Sequence, residues 1–348
     1  MDLKIHPIAL PLRHPFTISR GTTEVYEAAI VELSQDGVSG YGELVPAACY
    51  GQPIDEAISK IESLRTEISE TEIKHPAVLW EKWCALFPSM PSVVNALDCA
   101  TYDLWGKLRS QPIWRYWNLP LDRVPSSSIT IGIDTVDRMI EKVREVADWP
   151  IIKIKLGTED DLAIVRELRR HTQARFRVDA NEAWKPAETI ENAKALAELD
   201  VEFIEQPLPA EDWEGMRDVI RQTELPIIAD ESCVVEADID RCVSYFHGVN
   251  VKLVKCGGPT AARRMLLRAR HLQLSTMIGC MTETSVGISA AANLAPLADY
   301  LDLDGAVLLA DDWAEGVVLD HGRLEFPPRG GFGILPRKQA AETAAVDS

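Results

Sequence analysis

The chain divides into two regions that differ in how apolar and polar residues follow one another. Three segments between residues 3 and 44 alternate with a period of two, which is typical of half-buried antiparallel strands. Helical periodicity follows over Asp55–Thr66 and Val93–Leu108, where apolar residues recur at spacings of three and four. These patterns predict that residues 1–122 form an α+β domain.

The second region, residues 123–318, alternates short apolar runs with helical stretches, which is the pattern of βα units around a parallel sheet. About eight runs in roughly 190 residues favour a closed barrel over an open sheet, which would need a glycine-rich phosphate loop that the chain lacks. Residues 319–348 contain a predicted hairpin with its turn at His321-Gly322, and we expect this segment to return to the first domain. The predicted strands are SSITIGI, IIKIKLG, FRVDA, VEFIEQ, PIIADE, VNVKLVK, STMIG and GAVLLA.

Polar residues end five consecutive barrel strands at near-constant intervals of 24, 26, 25 and 22 residues: Lys155, Asp179, Glu205, Asp230 and Lys252. The carboxyl ends of barrel strands form the catalytic face of this architecture. Three carboxylates on neighbouring strands form an all-oxygen site that suits Mg²⁺, and a buried cluster of anions needs a cation. The spacing therefore predicts Asp179, Glu205 and Asp230 as ligands of Mg²⁺.

Two lysines flank the predicted metal site from different strands. Lys153 and Lys155 are two residues apart on one strand, so both should point into the barrel. Lys252 ends a strand on the other side of the barrel. Two lysines facing one carbon from opposite sides suit proton exchange next to a carboxylate, because one removes the proton and the other returns it with inversion. We therefore predict Lys155 and Lys252 as the catalytic acid–base pair.

Composition excludes several classes of function. The 348 residues carry a formal net charge of −18, whereas binding to nucleic acid or to an anionic membrane requires a basic face. Hydropathy predicts no membrane span and no signal peptide. The seven cysteines form no CxxC pair, which is typical of a reducing compartment and predicts a cytoplasmic location. Barrel enzymes often assemble, so a homo-oligomer is also expected.

The ordered strand-end motifs together resemble the enolase superfamily, within it the muconate-lactonizing subgroup. The resemblance covers nearly the whole chain and includes a capping-domain turn at YGELVP (41–46). It implies an α/β fold, a (β/α)7β modified TIM barrel with an N-terminal α+β capping domain, and Mg²⁺ as cofactor. The motifs are KIK (153–155), VDAN (178–181), FIEQP (203–207), IIADES (227–232) and VKLVKCGG (251–258).

Within that subgroup, the sequence is most similar to dipeptide epimerases of the L-Ala-D/L-Glu type. The segment DLDG (302–305) resembles the element that holds the free ammonium group of the dipeptide. The resemblance therefore implies that Asp302 and Asp304 bind this group and that the partner molecule is a dipeptide. The predicted activity is magnesium-dependent epimerisation through two-lysine 1,1-proton transfer.

Four further residues are implied to contact the substrate. IGCMTETSVG (278–287) is similar to the seventh-strand segment of these epimerases and implies roles for Cys280 and Met281. Lys153 is expected beside the substrate next to Lys155. Arg20 lies in TISRGTTE, where the family has a mobile capping loop, and could pair in bidentate fashion with a side-chain carboxylate, which favours Ala-Glu.

Three other functions remain open from the sequence. An o-succinylbenzoate synthase would use Lys155 as the base and Lys252 mainly as a cation. A muconate-type cycloisomerase is a further alternative within the subgroup. Substrates of either kind carry no ammonium group, so Asp302 and Asp304 favour the epimerase. A non-catalytic binding barrel would have lost a ligand or a lysine, and all of them are present here.

Overall fold

The computed structural model describes residues 1–19, 21–46 and 53–337. The chain begins with a three-stranded antiparallel sheet in the order β1-β2-β3, as the period-two segments predicted. Five helices follow the sheet. The elements of this part are β1 (Asp2–Ile18), β2 (Gly21–Gln35), β3 (Val38–Leu44), α1 (Ile54–Ser63), α2 (Arg65–Ser69), α3 (Pro76–Leu86), α4 (Pro91–Leu108) and α5 (Ile113–Tyr116).

Two glycines allow the long helix α4 to lie directly on β3. A Cβ atom on Gly40 would fall 2.1 Å from the backbone nitrogen of Leu104. A Cβ atom on Gly42 would fall 1.9 Å from the backbone oxygen of Ala96. Any larger residue at either position would push the helix away from the sheet. This packing encloses a small apolar core in the N-terminal part of the chain.

The second part is a parallel sheet of eight strands with helices between them. Seven helical connections join the eight strands, which confirms the predicted (β/α)7β barrel. The strands are β4 (Ile129–Ile131), β5 (Ile151–Lys155), β6 (Arg175–Asp179), β7 (Val201–Glu205), β8 (Ile227–Ala229), β9 (Gly248–Lys252), β10 (Ser275–Gly279) and β11 (Tyr300–Asp302). The helices are α6 (Val136–Glu145), α7 (Asp161–Arg169), α8 (Pro186–Ala197), α9 (Trp213–Ile220), α10 (Asp238–Cys242), α11 (Leu253–Cys256), α12 (Pro259–His271) and α13 (Ser285–Ala292).

The barrel closes between its first and last strands. The backbone N–H of Ser128 donates to the backbone oxygen of Leu301 over 3.1 Å, and Ser127 forms a parallel bridge with Leu301. The larger apolar core fills the space between the barrel strands and the helices that surround them. Within the described residues, none of the helices combines the length and apolar character that a bilayer crossing requires.

One predicted strand was wrong. The run GAVLLA at 305–310 is a turn, and the eighth strand is the preceding YLD segment, β11. The run is apolar because it packs against the first domain. Leu309 pairs with Leu12 of β1 in an antiparallel bridge, and the N–H of Arg13 donates to the oxygen of Leu308. The run at 305–310 is therefore apolar because it lies at the interface between the two domains, and it is not a strand of the sheet.

The C-terminal part, as far as it is described to residue 337, contains four short strands: β12 (Ala314–Glu315), β13 (Val318–Asp320), β14 (Arg323–Glu325) and β15 (Leu335–Pro336). Strands β13 and β14 form the predicted hairpin, with positive φ angles at His321 and Gly322 in its turn. The backbone N–H of Phe332 then donates to Asp103 on α4 over 2.8 Å. The domain boundaries at 122/123 and 318/319 remain a prediction.

A buried aspartate of the first domain caps a helix of the barrel. Asp98 on α4 is fully buried and accepts hydrogen bonds from the backbone N–H and the hydroxyl of Thr260, at 2.8 and 3.1 Å. Thr260 lies in the first turn of α12, where backbone N–H groups lack partners within the helix. Burial raises the pKa of Asp98 to about 8, although Thr260 and the charge of Arg264 act in the opposite direction.

Asp98→Asn is expected to change how stability depends on pH. Between the unfolded pKa of about 4 and the folded pKa of about 8, only the folded wild type holds this proton. Its unfolding free energy should therefore decrease with rising pH, by at most about 1.4 kcal/mol per unit, and the variant should lack this contribution. Urea unfolding at pH 5 and pH 8 measures the effect, with exposed Asp122→Asn as the control. An equal wild-type-to-variant difference at both pH values would contradict the prediction.

Candidate active site

Three carboxylates from three neighbouring strands meet at one end of the barrel. Asp179, Glu205 and Asp230 each offer an oxygen, and these oxygens lie within 4.8 Å of one another. The register of β6 and β7 brings two of them together, since Asp179 at the end of β6 is the direct neighbour of Glu205 at the end of β7. All three residues are at most 2% exposed. The structure therefore brings together the three residues predicted as metal ligands.

Glu205 has one buried oxygen that accepts no hydrogen bond in the described part of the chain. Within the described residues, no hydrogen bond reaches its Oε2 atom, although Lys153 Nζ lies 2.7 Å away as an ion pair. Burial and the charge of Asp179 raise the pKa of Glu205 to about 7. A buried carboxyl group that has an elevated pKa and an oxygen without a hydrogen bond fits a hard cation bound by oxygen ligands. The residues present therefore fit Mg²⁺.

Lys153 connects the three acids to the end of the last strand. Its Nζ atom lies 2.8 Å from Asp302 Oδ2, 2.7 Å from Glu205 Oε2 and 3.1 Å from Asp179 Oδ2. Burial alone would lower the pKa of Lys153, but the three carboxylates outweigh it and raise the pKa well above its usual value. This lysine is a permanent cation held among anions from three different strands.

Lys155 points to the same side of β5 as Lys153, as the strand alternation predicted. Its Nζ atom donates to Asp179 Oδ2 over 2.6 Å and to Asn181 Oδ1 over 3.2 Å. Asn181 has a φ of 42° in the left-handed region, and its backbone N–H donates to Asp179 Oδ1 over 3.0 Å. The turn that follows β6 thus fixes both a carboxylate and the ammonium group beside it.

Lys252 ends β9, which is the sixth strand of the barrel, whereas Lys155 ends the second strand. In a closed barrel of eight strands, the second and sixth strands are diametrically opposite. Lys252 Nζ donates to Asp230 Oδ2 over 2.8 Å. Burial would raise the pKa of Asp230, but Lys252 and Lys255 outweigh it and lower the pKa well below its usual value. The two predicted catalytic lysines therefore face each other across the metal-ligand cluster.

The aspartates of the DLDG segment lie beside this cluster and are both buried. Asp302 accepts from the Ser128 hydroxyl over 2.7 Å and from Lys153, and these charges and hydrogen bonds lower its pKa although burial opposes them. Asp304 accepts from the backbone N–H of Thr130 over 2.6 Å. Burial and the charge of Asp302 raise the pKa of Asp304 to about 7. Unlike Glu205, which pairs with Lys153, Asp304 forms no ion pair with a lysine or arginine among the described residues.

Cys280 and Met281 are half-buried and lie against the DLDG segment. A Cβ atom on Gly305 would fall 2.4 Å from the Met281 oxygen and 3.3 Å from Cys280 Sγ. The Met281 N–H donates to Glu283 over 2.8 Å. This segment is also tied to the first domain, because Glu43 of β3 accepts from the backbone N–H and the hydroxyl of Thr284. Both predicted residues therefore lie next to the predicted ammonium site.

Arg20 lies outside the described residues, so its predicted contact with a substrate carboxylate stays a prediction. The preceding residue, Ser19, is described. Its hydroxyl donates to the backbone oxygen of Asn181 over 3.5 Å, which brings the first domain to the loop that contacts Lys155. The capping segment therefore reaches the catalytic end of the barrel.

Two residues of this region were missed in the sequence. Asn250 donates to Glu205 Oε1 over 2.9 Å, and it could have been found because it lies two residues before Lys252 on the same strand. Lys255 pairs with Asp230. It lies three residues after Lys252, and strand alternation alone would place it on the other face. The alternation does not extend to Lys255 because β9 ends at Lys252 and the short helix α11 follows it.

Two family models match the chain. Residues 136–340 match the enolase C-terminal domain-like model, and residues 1–116 match the N-terminal domain of mandelate racemase / muconate lactonizing enzyme. The chain belongs to the enolase superfamily. The family predicted from the strand-end motifs is therefore confirmed.

The relatives of this superfamily member include named epimerases. It is 45% identical over 334 residues to an L-Ala-D/L-amino acid epimerase of Flavobacterium johnsoniae, covering 96% of this chain and 99% of the relative. It is 46% identical over 339 residues to an enzyme of the same name from Maribacter sp., with coverage of 96% and 99%. Among solved structures, the dipeptide epimerase from Enterococcus faecalis V583, complexed with Mg and L-Leu-L-Tyr, matches with a TM-score of 0.88 at 32% identity, covering 96% of this chain and 98% of that one.

Proposed function

We propose that this protein is a magnesium-dependent dipeptide epimerase. One observation carries the proposal: Lys155 and Lys252 face each other from opposite strands across three buried carboxylates that fit a metal. A single lysine would serve an elimination reaction, whereas inversion at carbon requires a proton donor and a proton acceptor on opposite faces. The names of the relatives support the same activity, because the matches span nearly the full length of this chain and of each relative.

In the proposed reaction, one lysine in its neutral form removes the α-proton of the residue whose carboxylate lies at the acid cluster. The other lysine, in its ammonium form, then donates a proton to the opposite face of the same carbon. The two lysines exchange roles for the reverse direction. When bound, Mg²⁺ would supply the positive charge that stabilises the enediolate formed by loss of the proton.

The surrounding residues hold this pair in place. Asp179, Glu205 and Asp230 would hold the metal. Lys153, which contacts Asp179, Glu205 and Asp302, keeps the anions together before the substrate binds. Asn181 accepts a hydrogen bond from the Lys155 ammonium group and helps to orient it.

The DLDG segment supports a substrate with a free amino terminus. Asp304 is buried, carries an elevated pKa and has no lysine or arginine ion pair in the described residues. An ammonium group would supply the missing positive charge. The relatives named for L-Ala-containing substrates favour alanine as this residue. A preference for glutamate at the epimerised position rests on Arg20 and stays a prediction.

Asp304→Asn is expected to raise the KM for L-Ala-L-Glu by about 10- to 100-fold, with a smaller effect on kcat. Losing a hydrogen bond to a charged group costs about 1.5–3 kcal/mol, and in this proposal Asp304 binds the amino group of the substrate and does not contact the reacting carbon. Steady-state kinetics measures the changes in KM and kcat separately. Asp299→Asn is a matched control, since Asp299 also accepts from a backbone N–H, that of Thr276, but precedes β11. A fall in kcat with an unchanged KM would contradict the assigned role.

The experiment that tests the function follows the α-protons of L-Ala-L-Glu by NMR in D₂O with Mg²⁺. The proposal expects exchange at the glutamate α-carbon alone and formation of L-Ala-D-Glu. If no α-proton exchanges with this dipeptide or with other L-Ala dipeptides, the epimerase proposal is wrong. Turnover of the o-succinylbenzoate precursor would then favour the synthase, and turnover of neither class would favour a binding barrel.

Two finer predictions accompany this function. The cytoplasmic location rests on the cysteine pattern. A homo-oligomer rests on the general tendency of barrel enzymes to assemble. Fractionation of the source cells and light scattering of the purified protein, respectively, test them.

A further inference from the structure

A fourth lysine is enclosed behind the metal-ligand cluster. Lys255 is 1% exposed, and its ammonium group is surrounded by four oxygen atoms. Nζ lies 2.5 Å from Asp230 Oδ1 and 2.6 Å from the backbone oxygen of Asp230. The backbone oxygens of Cys233 and Asn250 lie 3.0 and 3.1 Å away. The three N–H groups of an ammonium ion are fully used in this cage.

The position of Lys255 is set by the contact between the two parts of the chain. Lys255 lies on α11, which ends in the left-handed conformation at Gly257, with a φ of 87°. Trp80 of α3 donates to the backbone oxygen of Gly257 over 2.8 Å, and Gly258 packs directly against Asp98. Residues of the first domain therefore fix the end of α11, directly after Lys255.

Lys255 and Lys252 divide the two oxygens of one carboxylate between them. Lys255 binds Asp230 Oδ1, and Lys252 binds Asp230 Oδ2. Lys252 belongs to the proposed acid–base pair. Lys255 is enclosed behind Asp230, so it acts through that carboxylate. Lys255 takes no part in the proposed reaction and keeps Oδ1, so the oxygen that Asp230 would offer to a metal is Oδ2, which it shares with Lys252.

We propose that Lys255 is a positioning residue that makes the site select Mg²⁺ over Ca²⁺. Mg²⁺ requires six ligands in a compact octahedron, whereas Ca²⁺ takes six to eight oxygens and often binds a carboxylate through both of them. Because Lys255 occupies Oδ1, Asp230 is restricted to one oxygen, which suits the smaller ion. The inference rests on the proposed metal-dependent function and names what decides the choice of metal.

The test measures the binding of each ion to the metal-free protein by calorimetry, without a dipeptide. In Lys255→Met, Oδ1 becomes available, and the ratio of the Kd for Ca²⁺ to the Kd for Mg²⁺ should fall by about tenfold or more relative to wild type. Lys142→Met is a matched control, because Lys142 is also a buried lysine that pairs with an aspartate, Asp134, but belongs to α6 on the outside of the barrel. Its ratio should equal that of the wild type.

Circular dichroism first establishes that Lys255→Met is folded, and Lys255→Gln, which keeps N–H donors for the backbone oxygens, replaces it if it is not. An unchanged ratio in the folded variant, with Mg²⁺ still bound by the wild type, overturns this proposal and leaves the proposed function intact. An equal fall of the ratio in Lys142→Met also overturns it. Failure of the wild type to bind either ion overturns the metal-dependent function and this proposal together.

Discussion

Lys155→Met and Lys252→Met are each expected to lower kcat for epimerisation by at least about 10³-fold, within the range for loss of a general acid or base. Neither change leaves a metal ligand without a counter-ion. Asp179 keeps Lys153 at 3.1 Å, and Asp230 keeps Lys255 at 2.5 Å. Mg²⁺ binding should therefore persist, and the lost activity should report the chemical step.

The two variants should also separate the two halves of the reaction. Each retains one lysine, so each should still exchange the α-proton of one epimer with D₂O while failing to convert it into the other. NMR of L-Ala-L-Glu and L-Ala-D-Glu with each variant measures this, and Lys142→Met is again the control. If either variant epimerises within tenfold of the wild-type rate, the two-lysine mechanism is wrong.

Glu205→Gln is expected to weaken Mg²⁺ binding by at least about 100-fold, which corresponds to about 2.7 kcal/mol. The change removes one charge from the acid triad while keeping the shape of the side chain. Mg²⁺ should no longer raise the Tm, because stabilisation by a ligand requires binding to the folded state. The activity of the variant should fall together with its affinity for Mg²⁺. Removing Mg²⁺ from the wild type with a chelator should also abolish activity, and adding the metal back should restore it.

The pH dependence of metal binding adds a second measurement on the same variant. The pKa of Glu205 in the metal-free protein is about 7, so below this pH the bound proton competes with the metal. The affinity of the wild type for Mg²⁺ should therefore fall as pH decreases from 8 to 6. In Glu205→Gln, the affinity should change less with pH, because the proton on Glu205 is no longer part of the equilibrium. Calorimetry at both pH values tests it, with exposed Glu211→Gln as the control. An equal slope in wild type and Glu205→Gln would contradict the role of Glu205.

The sequence predicted the fold and family well because strand alternation and strand-end spacing are direct consequences of barrel geometry. The (β/α)7β barrel, the antiparallel N-terminal sheet and the superfamily are confirmed. The names of the relatives agree with the magnesium-dependent epimerase activity that the sequence predicted. The alternation along β5 correctly placed Lys153 and Lys155 on one face, and the intervals correctly placed the three carboxylates together.

What failed depended on contacts between distant segments. The run at 305–310 is apolar because it packs on β1, and no local pattern distinguishes such an interface from a strand. The ion pair of Lys255 depends on where β9 ends, which period-two reasoning does not reveal. The cage around Lys255 also depends on Trp80 and Asp98, which are more than 150 residues away in the chain.

The cap that Asp98 provides for α12 limits how this protein can be engineered. A barrel expressed without residues 1–122 would expose the first turn of α12, where Thr260 would lose both of its hydrogen bonds to Asp98. A chimera that combines this barrel with the N-terminal domain of a relative would need a matching acid at that position and a donor at Trp80. The N-terminal domain and the barrel therefore depend on each other through these contacts. Transferring substrate specificity between relatives requires moving both parts together.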